Sequence, residues 1–317
     1  MSTGGNRWLR LGGVAVGVVA ALVIAVTVWY QAVPTLDDLK AEAGLKGKAE
    51  LVIGVKVDMP GIGLYDPETK TYSGFDVDIA YLIAADLGFQ SDEVRFLEIQ
   101  NEDRSRMRGV TGERVDLVIA TYSATPEREA GRQVSFSDPY LETEQSVVTR
   151  KDHGPVLALS GLAGERVCTL STSTSEGPLP KAGAKVVYED TIAACIAKLR
   201  SGELDAVTTD AVILGGFVEK YPDELRHHDI GLETPELWAV NTGGNEALRK
   251  LVNISLYNSR NDPADKRWEN AFDKHLRPMQ KASPNQPNPI DEQPEVAEVE
   301  VRRWPWERLS GLVLPVR

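Results

Sequence analysis

The run Ile119-Ala120-Thr121-Tyr122-Ser123-Ala124-Thr125-Pro126-Glu127-Arg128 holds the residue types best suited to chemistry in this 317-residue chain. It reads as the end of a buried strand that opens into a hydroxyl-rich turn and then an arginine. Main-chain groups just past a strand end have no sheet partner and can reach a ligand. The hydroxyls of Thr121, Ser123 and Thr125 stand beside them, and Arg128 offers a planar fork that matches a carboxylate. The plain alternative is an ordinary strand-to-helix connection with a surface arginine. Asp210 closes a second strand-like run, Ala206-Val207-Thr208-Thr209-Asp210, where it is either a ligand group or the N-cap of a following helix. Lys56 ends the first strand and Arg104 lies near the start of a helix expected from about Glu102. Either is placed to meet a ligand carboxylate, since open α/β sheets bind at strand C-termini. The alternative is a surface lysine and a solvated arginine. No nucleophile–base pair stands in these motifs, so the chain reads as non-catalytic with no cofactor.

The elements that must position these residues alternate. Glu50-Leu51-Val52-Ile53-Gly54-Val55-Lys56-Val57 is a strand, and a helix follows with Ile79, Leu82, Ile83 and Leu87 on one face and Gly88 at its end. Strands follow at 94–99 and 115–120, which predicts an α/β lobe with a largely parallel sheet. The pattern restarts after a connecting strand at 147–150. Strands at 162–168 and 186–188 and a helix at 191–200 lead to the strand ending at Asp210. A return strand at 237–241 precedes helices at 245–260 and 265–276. Two lobes joined by two crossings result, with lobe one discontinuous at 49–147 and 242–278 and lobe two at 148–241.

The formal charge of -12 argues against nucleic acid as a partner, because phosphate binding needs a basic surface. Four histidines, at 153, 227, 228 and 275, lack metal-ligand spacing, and His227-His228 reads as a solvated loop pair. Residues 1–10 read as a cytoplasmic N-terminus and 11–33 as a membrane span, since about 20 apolar residues cross a bilayer and a cleavable signal core has roughly 7–15. Trp29 and Tyr30 fall where an interfacial belt would sit, and Arg7 and Arg10 put the body outside the cell. The alternative is a cleaved signal peptide; both readings export the body. A polar stalk is expected at 34–48 and a disordered Pro/acidic tail at 279–317, ending in an Arg/Trp stretch. Cys168 and Cys195, the only cysteines, suggest a disulfide in an exported chain. A loop of about 26 residues closed in this way gains about 3 kcal/mol in the chain-entropy model. Two buried free thiols are the alternative.

Across about residues 50–278 the chain resembles the bacterial extracellular solute-binding proteins of family 3, the polar amino-acid receptors of ABC importers. The likeness rests on Gly74-Phe75-Asp76-Val77-Asp78, on 120–128, on Phe136-Ser137-Asp138-Pro139-Tyr140 and on Gly202-Glu203-Leu204-Asp205-Ala206-Val207-Thr208-Thr209-Asp210. Val55-Lys56-Val57-Asp58-Met59-Pro60-Gly61 and the two cysteine positions are similar to actinobacterial glutamate-binding members. The resemblance implies a type II periplasmic-binding-protein clamshell, a small amino-acid ligand and an ABC permease as partner. It also implies that Thr121, Ser123, Thr125 and Arg128 hold the α-amino and α-carboxylate groups from one lobe. The second-lobe hydroxyl turn and Asp210 close over them. The chemistry fits: Arg128 with Thr125 suits the carboxylate, and N–H groups at Ser173 and Thr174 add a positive dipole end if they begin a helix. Asp210 with the Thr121 carbonyl and Ser123 hydroxyl suits the ammonium. Lys56 and Arg104 would favour glutamate or aspartate over the amides. The expected function is a membrane-tethered extracellular receptor that delivers an amino acid to an importer. The alternatives are a sensor for a membrane signalling partner and an enzyme built on the same fold.

Overall fold

The structure, a computed structural model, describes residues 5–131, 133–230, 235–282 and 291–302; of 5–11 and 29–32 it describes the backbone. Helix α1 (Gly5–Ala32) is followed by α2 (Leu36–Glu42), which starts at a capping box between Thr35 and Asp38. The first lobe then builds β1 (Leu51–Val55), a small hairpin sheet of β2 (Asp58–Met59), β3 (Gly63–Asp66) and β4 (Thr71–Ser73), and α3 (Phe75–Leu87). It continues through β5 (Val94–Glu98), β6 (Leu117–Val118) and the short α4 (Pro126–Glu129). Gly88 ends α3 with φ 104°, a conformation that only glycine adopts without strain. A long strand, β7 (Phe136–Arg150), leads to β8 (Arg166–Thr169), α5 (Pro178–Lys181), β9 (Lys185–Tyr188) and α6 (Ile192–Ser201). Then come β10 (Ala206–Asp210), α7 (Ala211–Lys220), β11 (Leu225–His228) and β12 (Pro235–Asn241). The last helices are α8 (Glu246–Asn261), α9 (Arg267–His275) and α10 (Arg277–Ala282).

One mixed sheet runs β5-β1-β6-β12-β7-β10-β8-β9, with β11 also on β7. β1 is parallel to β5 and β6, and β8 is parallel to β9 and β10. The 15-residue β7 is the hinge of this order: its first part, up to Glu144, pairs with β12, and from Gln145 it pairs with β10. The two lobes therefore share a continuous sheet along β7, and the C-terminal ends of β6, β8 and β10 carry the cleft residues. Cys168 on β8 and Cys195 on α6 form a disulfide, with Cα atoms 5.7 Å apart.

Several expectations are corrected. The helix expected from Glu102 is one 3-10 segment, Asn101–Arg106, which stops where Met107 turns left-handed at φ 54°. His227 and His228 are buried on β11 rather than solvated, because pairing with β7 draws them under the sheet. Burial pushes their pKa values down to about 3 and 4. The Val156 N–H donates to His228 Nδ1, so the ring proton sits on Nε2, 2.8 Å from the Thr149 hydroxyl. Residues 11–32 of the expected span lie within α1, but among the described residues no helix is long and apolar enough to cross a membrane. The Trp29 and Tyr30 side chains lie outside the described residues, as do 283–290 and 303–317 of the expected tail. Residues 291–302, expected to be disordered, pack on the body. Val296 and Val301 are buried, Ala297 N donates to Asp138 Oδ2 at 2.8 Å, and Arg302 N donates to Pro34 O at 2.9 Å. Valines spaced through an acidic run supply the apolar area that charge and proline content concealed.

Candidate functional site

The first-lobe edge of the cleft is made where the chain leaves β6 and turns sharply at Thr121, whose φ is 50°. A β-branched residue pays for that conformation in strain, and two buried side chains, Asp76 and Arg104, hold it there. Asp76, in the first turn of α3, accepts from Thr121 N at 2.9 Å and from the Tyr140 hydroxyl at 2.8 Å. Arg104 Nη1 donates to Ala120 O at 3.1 Å and to Thr121 O at 3.0 Å. The Thr125 hydroxyl caps α4 by accepting from Arg128 N at 3.3 Å, and Pro126 opens that helix. The cap aims Arg128 back toward the turn, where Nη1 donates to Ser123 O at 2.6 Å. The Tyr122 ring takes both guanidinium groups, Arg104 at 4.4 Å and Arg128 at 4.8 Å from its centroid.

The second-lobe edge follows β8 and β10. Thr172 is also left-handed, at φ 60°; its N–H donates to Glu176 at 3.0 Å, and its carbonyl accepts from Arg128 Nη2 at 2.9 Å. Asn101 Nδ2 donates to Ser171 O at 3.3 Å. Asp210 stands at the N-cap position of α7 but makes no capping bond; its Oδ2 accepts from Trp238 Nε1 at 2.5 Å. Burial, then the charge of Glu236, raises its pKa to about 8. Burial and the neighbouring Arg128 lower that of Arg104 to about 9. Asp76 is pushed up to about 7 by burial, against the pull of its two hydrogen bonds.

Met59, Asn101, Arg104, Thr121, Ser123, Arg128, Leu170, Ser173, Thr174, Thr209, Asp210 and Ile213 line one cleft. In this closed arrangement its cavity is about 20 Å³, room for about one water. That leaves no room for a molecule of amino-acid size while Arg128 keeps its bonds to Ser123 O and Thr172 O. A larger groove of about 620 Å³ lies between α8 and residues 298–301. Its charged lining, Glu298 and Glu300, is acidic only, so it lacks the paired basic and acidic groups of the cleft.

Of the residues expected from sequence, Arg104, Thr121, Ser123, Arg128, Ser173, Thr174 and Asp210 are brought together. Thr125 is not in the lining, because its hydroxyl is spent on the cap of α4. Lys56 is not in the lining either: it is buried, and burial with the nearby Arg104 lowers its pKa to about 7. No helix begins at Ser173 and Thr174; Ser173 N donates to Leu170 O, and α5 starts only at Pro178. The expected dipole end is therefore absent at that edge. Met59, Asn101, Leu170, Thr209 and Ile213 were not anticipated. Thr209 adjoins Asp210 and Met59 follows the first strand, so strand-end position alone could have suggested them. Trp238 carries no local signal, being 28 residues from Asp210.

The family model for bacterial extracellular solute-binding proteins, family 3, matches residues 51–276. The glutamate-binding protein GluB of Corynebacterium efficiens is 35% identical over 185 residues, which is 56% of this chain and 60% of that protein. The match thus spans less than two thirds of that relative. The ABC transporter glutamine-binding protein GlnH of Bacillus subtilis is 31% identical over 223 residues, 69% of this chain and 80% of that protein. Among solved structures, the L-cysteine solute receptor of Neisseria gonorrhoeae superposes with a TM-score of 0.67 at 28% identity, covering 75% of this chain and 94% of the receptor. An ancestral arginine-binding protein bound to arginine gives 0.64 at 28% identity, covering 72% and 98%. The motifs, the two-lobed α/β fold and these matches agree, and the chain belongs to the bacterial extracellular solute-binding proteins of family 3.

Proposed function

We propose that this chain is an extracellular receptor for an acidic amino acid, glutamate or aspartate, which it delivers to an ABC importer. The observation that carries the reading is the charge count of the cleft: two guanidinium groups, Arg104 and Arg128, and one lining carboxylate, Asp210. A dicarboxylic amino acid is the complement, with two carboxylates and one ammonium. Arg128 takes the α-carboxylate from Ser123 O and Thr172 O. Arg104 takes the side-chain carboxylate, and Asp210 with the Thr121 carbonyl and Ser123 hydroxyl takes the ammonium. A neutral amide would leave a buried guanidinium without a counter-charge, which costs several kcal/mol. Calorimetry of the full chain against the twenty amino acids tests this. Glutamate or aspartate should bind at least about tenfold more tightly than glutamine, a difference of about 1.4 kcal/mol. Equal affinity for glutamine and glutamate refutes the side-chain assignment.

Lobe one is taken as 49–147 and 242–278 and lobe two as 148–241. The change of partners along β7 at Glu144 and Gln145 supports the first crossing, while β12 pairs with β6 and the first part of β7 and so lies on the lobe-one side of the sheet. Ligand contacts to both lobes stabilise the closed state and present it to the permease. The N-terminal helix tethers the body at the outer face of the membrane. Its described apolar side chains, Val14, Val16, Val19, Leu22, Val23 and Ile24 among them, are exposed, and the apolar sequence continues at Trp29 and Tyr30. Release of the full chain from membranes by alkaline carbonate would refute the tether. Loss of labelled-glutamate uptake on deleting the chain, restored by the chain and not by Arg128→Ala, tests the delivery role.

A further inference from the structure

Among the described residues, three first-lobe side chains that lie outside the β7 crossing hydrogen-bond to second-lobe main chain. Asn101 Nδ2 donates to Ser171 O at 3.3 Å, Arg128 Nη2 donates to Thr172 O at 2.9 Å, and Asp58 Oδ2 accepts from Ala193 N at 3.1 Å. Asn101 and Arg128 line the cleft, so an incoming ligand competes for them. Asp58 is not part of the lining, and its bond is compatible with an occupied cleft.

Ala193 is the second residue of α6, where main-chain N–H groups have no partner within the helix. The helix's own cap, Thr191, takes Ala194 N at 3.1 Å and leaves Ala193 N to another acceptor. Asp58 fills that place from the opposite lobe, and its negative charge suits the positive end of the helix dipole. The turn between β2 and β3 is seated firmly against the second lobe. A Cβ added to Gly216 of α7 would come within 2.2 Å of Pro60 O, so only glycine fits there in the closed form. The next residue, Met59, lines the cleft. On the far side, α6 is tied through the Cys195–Cys168 disulfide to β8, which runs directly into Leu170 and Ser173 of the ligand cleft. The Asp58 contact thus reaches the second-lobe edge through a covalent link.

We propose that Asp58 is a positioning residue that sets ligand affinity by capping α6 from the opposite lobe in the closed state, without touching the ligand. This rests on the reading of the chain as an amino-acid receptor. The test uses the full chain labelled at Glu68→Cys and Lys185→Cys, two exposed positions on opposite lobes. The inter-lobe distance is read by single-molecule energy transfer with and without glutamate, beside a calorimetric Kd. In Asp58→Ala the closed population falls and Kd rises about 2- to 30-fold, matching the roughly 0.5–2 kcal/mol lost with an N-cap acceptor. The change should lie mainly in dissociation rate. Asp58→Asn, whose amide oxygen also caps helices well, should retain most of the affinity and closure. An unchanged Kd and closed population in Asp58→Ala overturns the proposal. So does an equal loss in Asp58→Asn and Asp58→Ala, which would make the effect one of charge alone. If the unsubstituted chain binds no amino acid, the receptor reading fails on its own. The ligand-free closed populations of the two variants then still decide whether Asp58 joins the lobes.

Discussion

Both edges of the cleft turn on a left-handed threonine, and the two are supported differently. Thr121 (φ 50°) is buried, with its N–H on the Asp76 carboxylate and its carbonyl on Arg104. Thr172 (φ 60°) is exposed; its N–H meets Glu176, and its carbonyl meets an arginine from the other lobe. Each such conformation costs about 1–3 kcal/mol, and it persists only where the surroundings over-determine it. In the first lobe that determination is internal to the lobe. In the second lobe part of it comes from Arg128 and exists only while the lobes are closed. The first edge is therefore a pre-formed template, and the second is completed by closure.

The largest effect should come from the residue shared by both edges. Arg128→Ala is expected to cost about 2–5 kcal/mol of ligand affinity, as for truncating one side of a buried charge pair. A chain that folds and binds glutamate unchanged would remove Arg128 from the α-carboxylate role. Next, Asp76→Ala leaves two buried donors, Thr121 N and the Tyr140 hydroxyl, without their acceptor. It should lower unfolding free energy by about 2–6 kcal/mol, at about 1–3 kcal/mol for each orphaned group. Glu176→Ala, at a half-exposed position, should cost under about 1 kcal/mol. Chemical denaturation of the two variants measures the asymmetry directly; equal losses would break the comparison.

Titration sharpens it further. The Asp76 carboxyl is raised in the fold to about 7, above its ordinary 3.8. Its contribution therefore favours the fold below about pH 4 and is withdrawn as pH rises to about 7. Asp76→Asn should flatten that part of the stability profile, and an identical slope in both proteins would contradict the burial argument. Asp210 acts on binding instead. Held near 8 in the ligand-free cleft, it must lose its proton to pair with an ammonium. Affinity should rise as pH goes from 6 to 8, by up to about tenfold per unit, and Asp210→Asn should be weaker and flat. The smallest expected change is at the strained residues themselves. Thr172→Gly should shift stability by less than about 1 kcal/mol, since relieved strain offsets the added chain entropy. Thr121→Gly, which also loses a packed side chain, should be the more harmful of the pair.

The histidine pair shows why part of this molecule was not legible in advance. His227-His228 has no periodic apolar neighbours to mark it as a strand, and only the partner β7, far away in sequence, buries it. The same holds for Lys56, whose strand-end position was read correctly and whose separation from the cleft lining was not. Thr125 was recognised as a hydroxyl beside Arg128, but its bond to the α4 backbone, made through the start signal Thr-Pro, decided its use. Charge and proline content mark residues 291–302 as a tail, and their valines count only because the core of the body accepts them.

Local order alone determined the α/β class, the two-lobed course of the chain and the strand ends that carry the candidate ligand residues. These follow from periodicity, turn residues and the small number of partners a short segment can have. Which strand-end residues face one another was decided by the tertiary structure. Arg104, Arg128 and Asp210 converge because β7 crosses between lobes and the lobes close on it. Burial in that closure, not residue type, moves Asp210 to about 8 and brings Trp238 onto its carboxylate. Desolvation and long-range contact are properties of the folded surroundings, and no stretch of sequence carries them by itself.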